Sequence, residues 1–543
     1  MTPAAPPTQA PAKVNITIDG KPYAVKAGIT LIEAIDQAQI PLPRYCYHPG
    51  LSIAGNCRIC QVEVEKMPRT VIACNIRVAE GMVIRTNSPK AQESQKVVLE
   101  FLLANHPLDC PVCDQSGECK LQDYYMEFGA YDPRFNENKV KKTKKAFSIG
   151  PTIMLDQERC ILCSRCVRFT DEITRTHELG IFNRADRAEV DVYPGKPLDN
   201  KYSGNVADIC PVGALTDKDF RFKMRVWYLG SRPSVCPGCS RGCNINVEFE
   251  QSRPYHLKSE RVMRLKPREN PFVNQWWMCD EGRYGYKPID KDRVTRPRLR
   301  RSGALRESSW DEVWPLVAAH LKRSKTDPSR WALLSSGQYT NEELYLQRKV
   351  FKEMLGWTQF GFRSRFDLGG EDSFLIRPDK NPNTTAAVRL FQLTGEDDVR
   401  PILDKARSGG LDGLFIATRD LGPYGEELLR AAREKVGTII AAVPNENAGA
   451  RIADIVLPAA VYAEKEGTFT NFEGRVQRIR KVLEPLGESR PSWKILSDKI
   501  VELGGKPYAK PEDIFNELAR TESAFAGMTY ATIEPYGQIW KPQ

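Results

Sequence analysis

The chain of 543 residues is 41% hydrophobic and 27% charged, with a formal net charge of +10, which is typical of a soluble protein with several domains. No stretch approaches the roughly 18 apolar residues of a membrane-spanning helix, and no basic stripe with interleaved aromatic residues indicates nucleic-acid binding. We therefore expect an intracellular chain, in which clustered cysteines bind metal more often than they form disulfides.

The cysteines are the most informative residues of the sequence. All fifteen lie between Cys46 and Cys279, in four groups. Three groups contain four thiols, and the group with three thiols has His106 just upstream of it. Four sites of four ligands would use every cysteine and one histidine. This pattern predicts a row of iron–sulfur clusters that carries electrons; a zinc-bearing structural scaffold is the alternative from a different class.

The N-terminal part of the chain predicts a hairpin followed by a helix. The first dozen residues, rich in Pro and Ala, predict a disordered tail without the features of a signal peptide. Alternating strands over Val14–Ile18 and Pro22–Val25 follow. A helix begins at Thr30, whose spacing to Glu33 is that of a capping box. The order of two strands, a helix and a cysteine loop resembles the β-grasp ferredoxin fold.

The first cysteine group follows this helix. Its members are Cys46, Cys57, Cys60 and Cys74. Their spacing differs from that of plant-type ferredoxins and resembles the two-iron domain of respiratory NADH dehydrogenases and NAD-linked hydrogenases. The resemblance implies a [2Fe–2S] cluster held by these four thiols. In the loop, Gly50, Gly55 and Asn56 are expected to turn their amides toward the cluster sulfurs.

The second group follows a predicted helix over residues 90–105, whose apolar stripe contains Val97, Val98, Phe101 and Leu102. Its members are His106, Cys110, Cys113 and Cys119. The segment LANHPLDCPVCDQSGECKLQ resembles the cluster segment, ligated by one His and three Cys, of the large iron–sulfur subunit of NADH:quinone oxidoreductase (complex I). The resemblance implies a [4Fe–4S] cluster. A neutral imidazole in place of a thiolate removes one negative charge and raises the reduction potential. A zinc site of three Cys and one His is the alternative.

The third group follows the lysine run Lys139–Lys145, which predicts a solvated linker, with a docking site for an acidic partner as the alternative. The triad of the group matches the bacterial ferredoxin pattern, but Thr170 stands where that pattern has a cysteine before proline. A Cys-Pro pair appears later in the chain, so one [4Fe–4S] cluster is expected from this repeat. Its ligands are Cys160, Cys163, Cys166 and Cys210.

The fourth group has the spacing Cys-x2-Cys-x3-Cys with one distant cysteine. Its members are Cys236, Cys239, Cys243 and Cys279. This arrangement resembles the small cluster domain that opens molybdopterin oxidoreductases and that many complex I large subunits keep. The resemblance implies an accessory [4Fe–4S] cluster off the main route of electrons. A structural zinc ion is the alternative.

The C-terminal part changes to an α/β pattern. A buried strand at Trp331–Gly337 precedes a helix capped by Thr340, and two core strands flank a helix over Glu426–Glu434 in a βαβ unit. The segment from Ala453 to Gln477 resembles the corresponding stretch of molybdopterin oxidoreductases. This part has no cysteine and no Gly-rich phosphate loop, so we expect a degenerate scaffold domain without molybdopterin.

The predicted fold class is therefore α+β and α/β multidomain. The predicted domains are a disordered tail over 1–12, a β-grasp [2Fe–2S] ferredoxin domain over 13–95, a [4Fe–4S] domain with one His and three Cys over 96–137, a Lys-rich linker over 138–149, a [4Fe–4S] ferredoxin-like domain over 150–228, a [4Fe–4S] domain of the molybdopterin-enzyme type over 229–290, and a shortened molybdopterin-oxidoreductase-like domain over 300–543.

The resemblance implies an electron-transferring iron–sulfur subunit of a respiratory NADH:quinone oxidoreductase, without a catalytic site of its own. Its cofactors would be one [2Fe–2S] and two to three [4Fe–4S] clusters. The implied partners are a flavin-bearing NADH-oxidising subunit, a small 2Fe–2S subunit, and downstream 4Fe–4S and quinone-module subunits. The chain would lie peripherally on the cytoplasmic side of the bacterial inner membrane and reach the membrane only through partners. A subunit of a soluble NAD-linked formate dehydrogenase or hydrogenase is the alternative.

Overall fold

The computed structural model describes residues 13–132, 134–251, 260–363, 367–393, 399–418 and 425–541. The predicted tail at 1–12 lies outside the described residues. The chain divides into two compact units, Met1–Trp227 and Tyr228–Gln543. The division falls one residue from the predicted boundary between the ferredoxin-like domain and the fourth cysteine group.

The first unit combines short strands with helices that adjoin the cysteines. Its strands are β1 Lys13–Ile18, β2 Lys21–Lys26, β3 Gln61–Val64, β4 Val71–Ile72, β5 Val83–Arg85, β6 Ala146–Ser148, β7 Ile153–Asp156, β8 Leu179–Phe182, β9 Glu189–Val192 and β10 Leu215–Asp217. Its helices are α1 Leu31–Gln37, α2 Pro89–Asn105, α3 Lys120–Phe128, α4 Arg165–Arg168 and α5 Asn205–Ile209.

The first five strands form a mixed sheet in the order β2-β1-β5-β3-β4. Strand β1 is antiparallel to β2 and parallel to β5, and its alternation buries Ile16 and Ile18. Helix α1 begins with the predicted capping box of Thr30 and Glu33 and buries Leu31 in the same core. The β-grasp prediction is confirmed.

Helix α2 turns part of the predicted stripe inward, because Val98 and Leu102 pack against the apolar cluster that contains Leu99. Phe101 is 73% exposed, whereas Ala91, Gln95 and Leu99 are buried. These buried positions are four residues apart, so they share one helical face. The side chain of Gln95 donates to the Gln61 carbonyl (3.0 Å) and fixes that face. The predicted stripe was therefore right for Val98 and Leu102 and wrong for Phe101, and the helix and its end before His106 were right.

The rest of the first unit carries the third cysteine group. Strands β10, β7 and β6 form one antiparallel sheet, and β8 pairs with β9. The triad of the group lies in the loop after β7 and in helix α4, and Cys210 follows α5 directly. The sheet and the two short helices thus bring residues that are distant in sequence to one end of this domain.

The second unit contains one large sheet and two small antiparallel sheets. Its strands are β11 Leu229–Val235, β12 Asn244–Glu250, β13 Val262–Pro267, β14 Arg298–Arg301, β15 Ala304–Glu307, β16 Trp331–Ser336, β17 Gln359–Arg363, β18 Gly413–Ile416, β19 Thr438–Val443, β20 Ile455–Pro458, β21 Gly467–Thr470, β22 Arg475–Ile479 and β23 Gln538–Ile539. Its helices are α6 Asp280–Tyr284, α7 Trp310–Ser324, α8 Asn341–Gln347, α9 Thr384–Phe391, α10 Val399–Arg407, α11 Gly425–Lys435, α12 Ala448–Ile452, α13 Ser492–Glu502 and α14 Pro511–Thr521. The two small sheets are β11-β12-β13 and β21-β22-β23.

The large sheet has the order β15-β14-β20-β19-β18-β16-β17, and its strands β16 to β20 are parallel. The predicted βαβ unit is present as β18, α11 and β19, and α8 begins with the predicted capping box of Thr340 and Glu343. Buried residues on both faces of the sheet belong to separate apolar clusters, as expected for a parallel sheet covered by helices. Among the described residues, no helix is long and apolar enough to cross a membrane.

Candidate metal centres

The first cysteine group forms two pairs of thiols. Cys46 is hydrogen-bonded to Cys57, and Cys60 to Cys74. The backbone N–H of Cys46 also donates to Cys57 Sγ (3.4 Å). The pKa of Cys46 is lowered to about 5, because the Cys57 thiol donates a hydrogen bond to the Cys46 thiolate. The same hydrogen bond raises the pKa of Cys57. One thiolate in a pair is therefore available to metal at neutral pH, and metal binding would release the other proton.

The loop between Cys46 and Cys57 turns part of its backbone toward sulfur. The amide of Asn56 donates to the Cys46 thiol, and Gly55 has a positive φ of 62°, which a glycine adopts without strain. The amide of Gly50 instead donates to Nδ1 of His48 (3.1 Å). The expectation of inward amides was therefore right for Asn56 and wrong for Gly50.

All four members of the second group line one cavity of about 530 Å³. His106 caps the end of α2, and Cys119 lies at the start of α3. Cys113 and Cys119 are buried, whereas Cys110 is exposed. The two helix ends and the turn between them thus place one imidazole and three thiols around the same space.

The surroundings of His106 keep its imidazole neutral. Burial, and after it the charges of Lys139 and Arg159, lower its pKa to about 4. A neutral imidazole is the form that binds metal. Asp109 holds two cations in place near this site: its carboxylate accepts from Arg159 (3.0 Å) and Lys145 (2.8 Å).

The four thiols of the third group lie close together in the interior. Burial raises the pKa of Cys166 far above its usual value, and the charges of the other three thiols of the group raise it further. Backbone amides point at the sulfurs: that of Leu162 donates to Cys160 (3.4 Å), and those of Val212, Ala214 and Leu215 donate to Cys210. The amides after Cys210 are those of the Cys-Pro turn that the sequence singled out.

The fourth group also surrounds a single cavity, in the second unit. Three of its cysteines lie on the turn between β11 and β12, where the amide of Cys236 donates to the Cys243 carbonyl (2.8 Å). Cys279 begins α6 and accepts from the amide of Gly282 (3.3 Å). Burial raises the pKa of Cys279 to about 12. Such thiols hold their protons until a cation offsets their charge, as expected of an enclosed metal site.

The residues fit iron–sulfur clusters in each group, because thiols converge on one space and amides point at several of them. Among the described residues, no three His, Cys, Asp or Glu side chains are grouped tightly enough to hold a single metal ion. The structure collects the predicted ligands as two pairs in the first group, around one cavity each in the second and fourth groups, and within electrostatic range of one another in the third.

The first and third groups lie next to each other within the first unit. The side chain of Asn56 donates to the carbonyl of Leu162 (3.2 Å), and Arg168 donates to the carbonyls of Cys46 and Ser52. Glu172 accepts from the Ser52 amide (2.8 Å). Sequence patterns did not single out Arg168 or Glu172; the only signal was the position of Arg168 two residues after a ligand.

The second and third groups are also in contact. The amide of Lys120 donates to the Pro211 carbonyl (3.0 Å), and a Cβ added at Gly213 would lie 2.2 Å from Cys113 Sγ. A single apolar cluster contains cysteines of all three groups of the first unit, and their members in it are Cys46, Cys57, Cys119, Cys160, Cys163 and Cys210.

The side chains of the lysine run contact other parts of the first unit. Lys139 donates to the last carbonyls of α2, and Lys142 to the carbonyls of Asp186 and Ala188. Lys144 pairs with Asp191 (2.8 Å), and Lys145 pairs with the carboxylate of Asp109. Three of these four side chains are exposed and Lys142 is half-buried, so the solvated linker stays a prediction, with these contacts at its surface.

Family models match the chain in the order in which the cysteine groups occur. By description and residues matched, they are a 2Fe-2S iron-sulfur cluster binding domain at 11–89, the NADH-ubiquinone oxidoreductase-G iron-sulfur binding region at 95–134, the ferredoxin-like domain of NADH-quinone oxidoreductase subunit 3 at 150–216, the molybdopterin oxidoreductase Fe4S4 domain at 230–291, and molybdopterin oxidoreductase at 293–366 and 391–499.

Similar proteins span nearly the whole chain. The mitochondrial 78 kDa subunit of NADH-ubiquinone oxidoreductase from Neurospora crassa is 32% identical over 97% of this chain and 85% of its own length. The G-type subunit of NADH-quinone oxidoreductase from Rickettsia felis is 37% identical over 89% of this chain and 87% of its own length. The chain belongs to the family of these subunits. A solved NAD+-reducing [NiFe]-hydrogenase is 27% identical over 40% of this chain and 92% of that chain, with a TM-score of 0.35, which carries no argument about fold.

Membership of this family confirms the predicted function and cofactor classes. The chain is an electron-transferring iron–sulfur subunit of a respiratory NADH–quinone oxidoreductase, with a [2Fe–2S] domain followed by several [4Fe–4S] domains. Its assembly includes other subunits of that oxidoreductase. A molybdopterin-oxidoreductase-like domain follows, for which the absence of the pterin stays a prediction.

Proposed function

We propose that the first unit forms a three-cluster wire between a flavin-bearing NADH-oxidising subunit and a downstream cluster subunit that serves quinone. The observation that carries this proposal is the single apolar cluster shared by cysteines of three groups. Low-polarity packing between sites keeps water away from the sulfurs, and the protein's part is to hold, insulate and tune the cofactors.

The pairing of the first group supports a [2Fe–2S] cluster there. Each iron of a binuclear cluster takes two cysteine thiolates, and the structure supplies two thiol pairs, Cys46 with Cys57 and Cys60 with Cys74. The second and third groups would each hold a [4Fe–4S] cluster, with His106 as the nitrogen ligand of the second. The fourth group, in the other unit, would hold an accessory cluster.

The contacts support an order for the wire. The third group touches the first through Asn56 and the second through Lys120 and Gly213, so it connects them. The second group is the one with an exposed cysteine, Cys110, and Leu108 beside it is 88% exposed. We therefore assign the exit of electrons to the second group. An exposed apolar surface beside a redox site favours docking of the partner subunit that receives them.

The partners and location follow from the same proposal. A flavin-bearing subunit and a small 2Fe–2S subunit would deliver electrons, and 4Fe–4S and quinone-module subunits would receive them. The chain would lie on the cytoplasmic side of the bacterial inner membrane and be held there by these subunits.

The proposal is tested on protein purified without oxygen. We expect iron and acid-labile sulfide in nearly equal amounts, and EPR signals of one binuclear and up to three four-iron clusters after reduction with dithionite. Zinc without sulfide would contradict the proposal and support a structural scaffold. Purification at native expression level should also recover membrane subunits, whereas recovery of a formate dehydrogenase or hydrogenase would contradict the assignment of partners.

A further inference from the structure

Helix α4 carries two arginines that join the loop of the first cysteine group to the third group. The first of them, Arg165, donates to the carbonyl of Tyr47 (2.5 Å), which follows Cys46 directly in the chain. It also donates to the carbonyl of Ile209 (3.1 Å), which directly precedes Cys210. One guanidinium thus holds the backbone beside a predicted ligand in each of the two groups.

The second arginine, Arg168, makes the same connection three residues further along the helix. It donates to the carbonyls of Cys46 and Ser52 in the loop of the first group. On the side of the third group it donates to the carbonyl of Cys163 (3.5 Å) and to the hydroxyl of Ser164 (3.2 Å). Residues three apart in a helix share one face, so both guanidiniums lie between the first group and the third.

The positive charges of these two side chains have no carboxylate partner. Both side chains are half-buried, their acceptors are carbonyls and one hydroxyl, and neither forms an ion pair with a carboxylate in the part of the chain that the structure describes. Arg159 of the same domain, by contrast, pairs with Asp109 (3.0 Å). Burial lowers the pKa of Arg165, as expected for a cation whose charge is not fully offset, but a guanidinium keeps its proton at physiological pH. Such charges are favourable in the interior only beside an anion.

We propose that Arg165 and Arg168 form a cationic bridge that raises the reduction potentials of the binuclear cluster at the first group and of the four-iron cluster at the third. The inference rests on the proposed function, because it requires a cluster at both groups. A cluster with thiolate ligands is negatively charged and gains one more negative charge on reduction, so a nearby cation stabilises the reduced state more than the oxidised state.

The bridge has a consequence for transfer between the two clusters. Because the same two charges act on both, they shift both potentials in the same direction and change the driving force between the clusters little. The hydrogen bonds to the two ligand loops also fix the separation of these loops. Both arginines are therefore positioning and tuning residues, and neither is a ligand.

The test compares Arg165→Gln and Arg168→Gln with wild type in the assembled oxidoreductase. Glutamine removes the charge but still donates a hydrogen bond to a carbonyl. Redox titration followed by EPR measures the potential of each cluster. In each variant we expect the ratio of reduced to oxidised cluster at a fixed poise to fall about tenfold at the first and third groups, which for one electron is a fall of about 59 mV. The potential at the second group should change less, since neither arginine donates to its ligand segment.

Two controls separate the charge from the packing. Arg165→Lys and Arg168→Lys keep the charge and lose the fork of hydrogen bonds, so both potentials should stay near their wild-type values. Arg225→Gln removes a half-buried arginine whose carbonyl acceptors, Pro111 and Cys113, belong to the second group. This variant should leave the potentials at the first and third groups unchanged.

Unchanged potentials in either glutamine variant of the bridge, a shift confined to one of the two clusters, or an equal fall in the lysine variants or in Arg225→Gln would overturn the inference while leaving the wire intact. If a glutamine variant loses a cluster, the matching lysine variant decides: clusters retained at wild-type potentials support the role of the charge, and their loss overturns it. Wild-type protein without clusters at the first and third groups would overturn the wire and the inference together.

Discussion

Replacing His106 by cysteine tests the nitrogen ligand of the second cluster. The variant His106→Cys should keep a [4Fe–4S] cluster, because a thiolate is the usual ligand of such clusters. The neutral imidazole would give way to a thiolate, which adds one negative charge beside the cluster. The reduced state, with its extra electron, is penalised more by this charge than the oxidised state. The potential of the second cluster should therefore fall.

The surroundings of His106 set the expected size of this fall in reduction potential. His106 is half-buried, and Lys139 and Arg159 lie near it, so an effective dielectric constant of about 20 is appropriate. A unit charge at about 4 Å then contributes about 4 kcal/mol. With about 59 mV for each tenfold change in a one-electron equilibrium, this energy corresponds to roughly 170 mV.

Redox titration followed by EPR measures the change. His48→Gln is a matched control, because His48 is also half-buried beside a cluster loop and its ring accepts from the Gly50 amide. The His48→Gln variant should leave the reduction potential of the second cluster at its wild-type value. An unchanged potential in His106→Cys would remove His106 as a ligand and refute the reasoning.

Three further changes follow from the packing. Gly213→Ala should disturb or abolish the second cluster, since the added Cβ would lie 2.2 Å from Cys113 Sγ; an unaltered EPR spectrum would contradict this contact. Cys236→Ala should remove one four-iron signal while the three clusters of the first unit persist, and loss of all signals would contradict an accessory role. Glu464→Ala should lower the free energy of unfolding of the second unit by about 3–5 kcal/mol, because this fully buried carboxylate accepts from Arg293 at 2.8 Å. Urea denaturation followed by tryptophan fluorescence measures this loss; a change below about 1 kcal/mol would show that the pair is not stabilising.

The sequence alone determined much of the local structure. Capping boxes at Thr30 and Thr340 placed two helices, because the bonds of a capping box join residues only three apart. The apolar strand patterns before and after α11 placed the βαβ unit, because such patterns also depend only on residues close together in the chain. Short ligand motifs such as that from Cys160 to Cys166 also depend on local spacing, so the sequence defined the cysteine groups and the family resemblance that their order supports.

The tertiary structure decided how these elements meet. Helix α2 buries Gln95, whose side chain donates to the Gln61 carbonyl, whereas Phe101 of the predicted stripe is exposed. The contact of Arg168 with the Cys46 loop and the partners of the lysine run join residues far apart in the chain, where spacing carries no information. Three cysteine groups lie next to one another only because long-range packing forms one apolar cluster from residues that are far apart in the sequence.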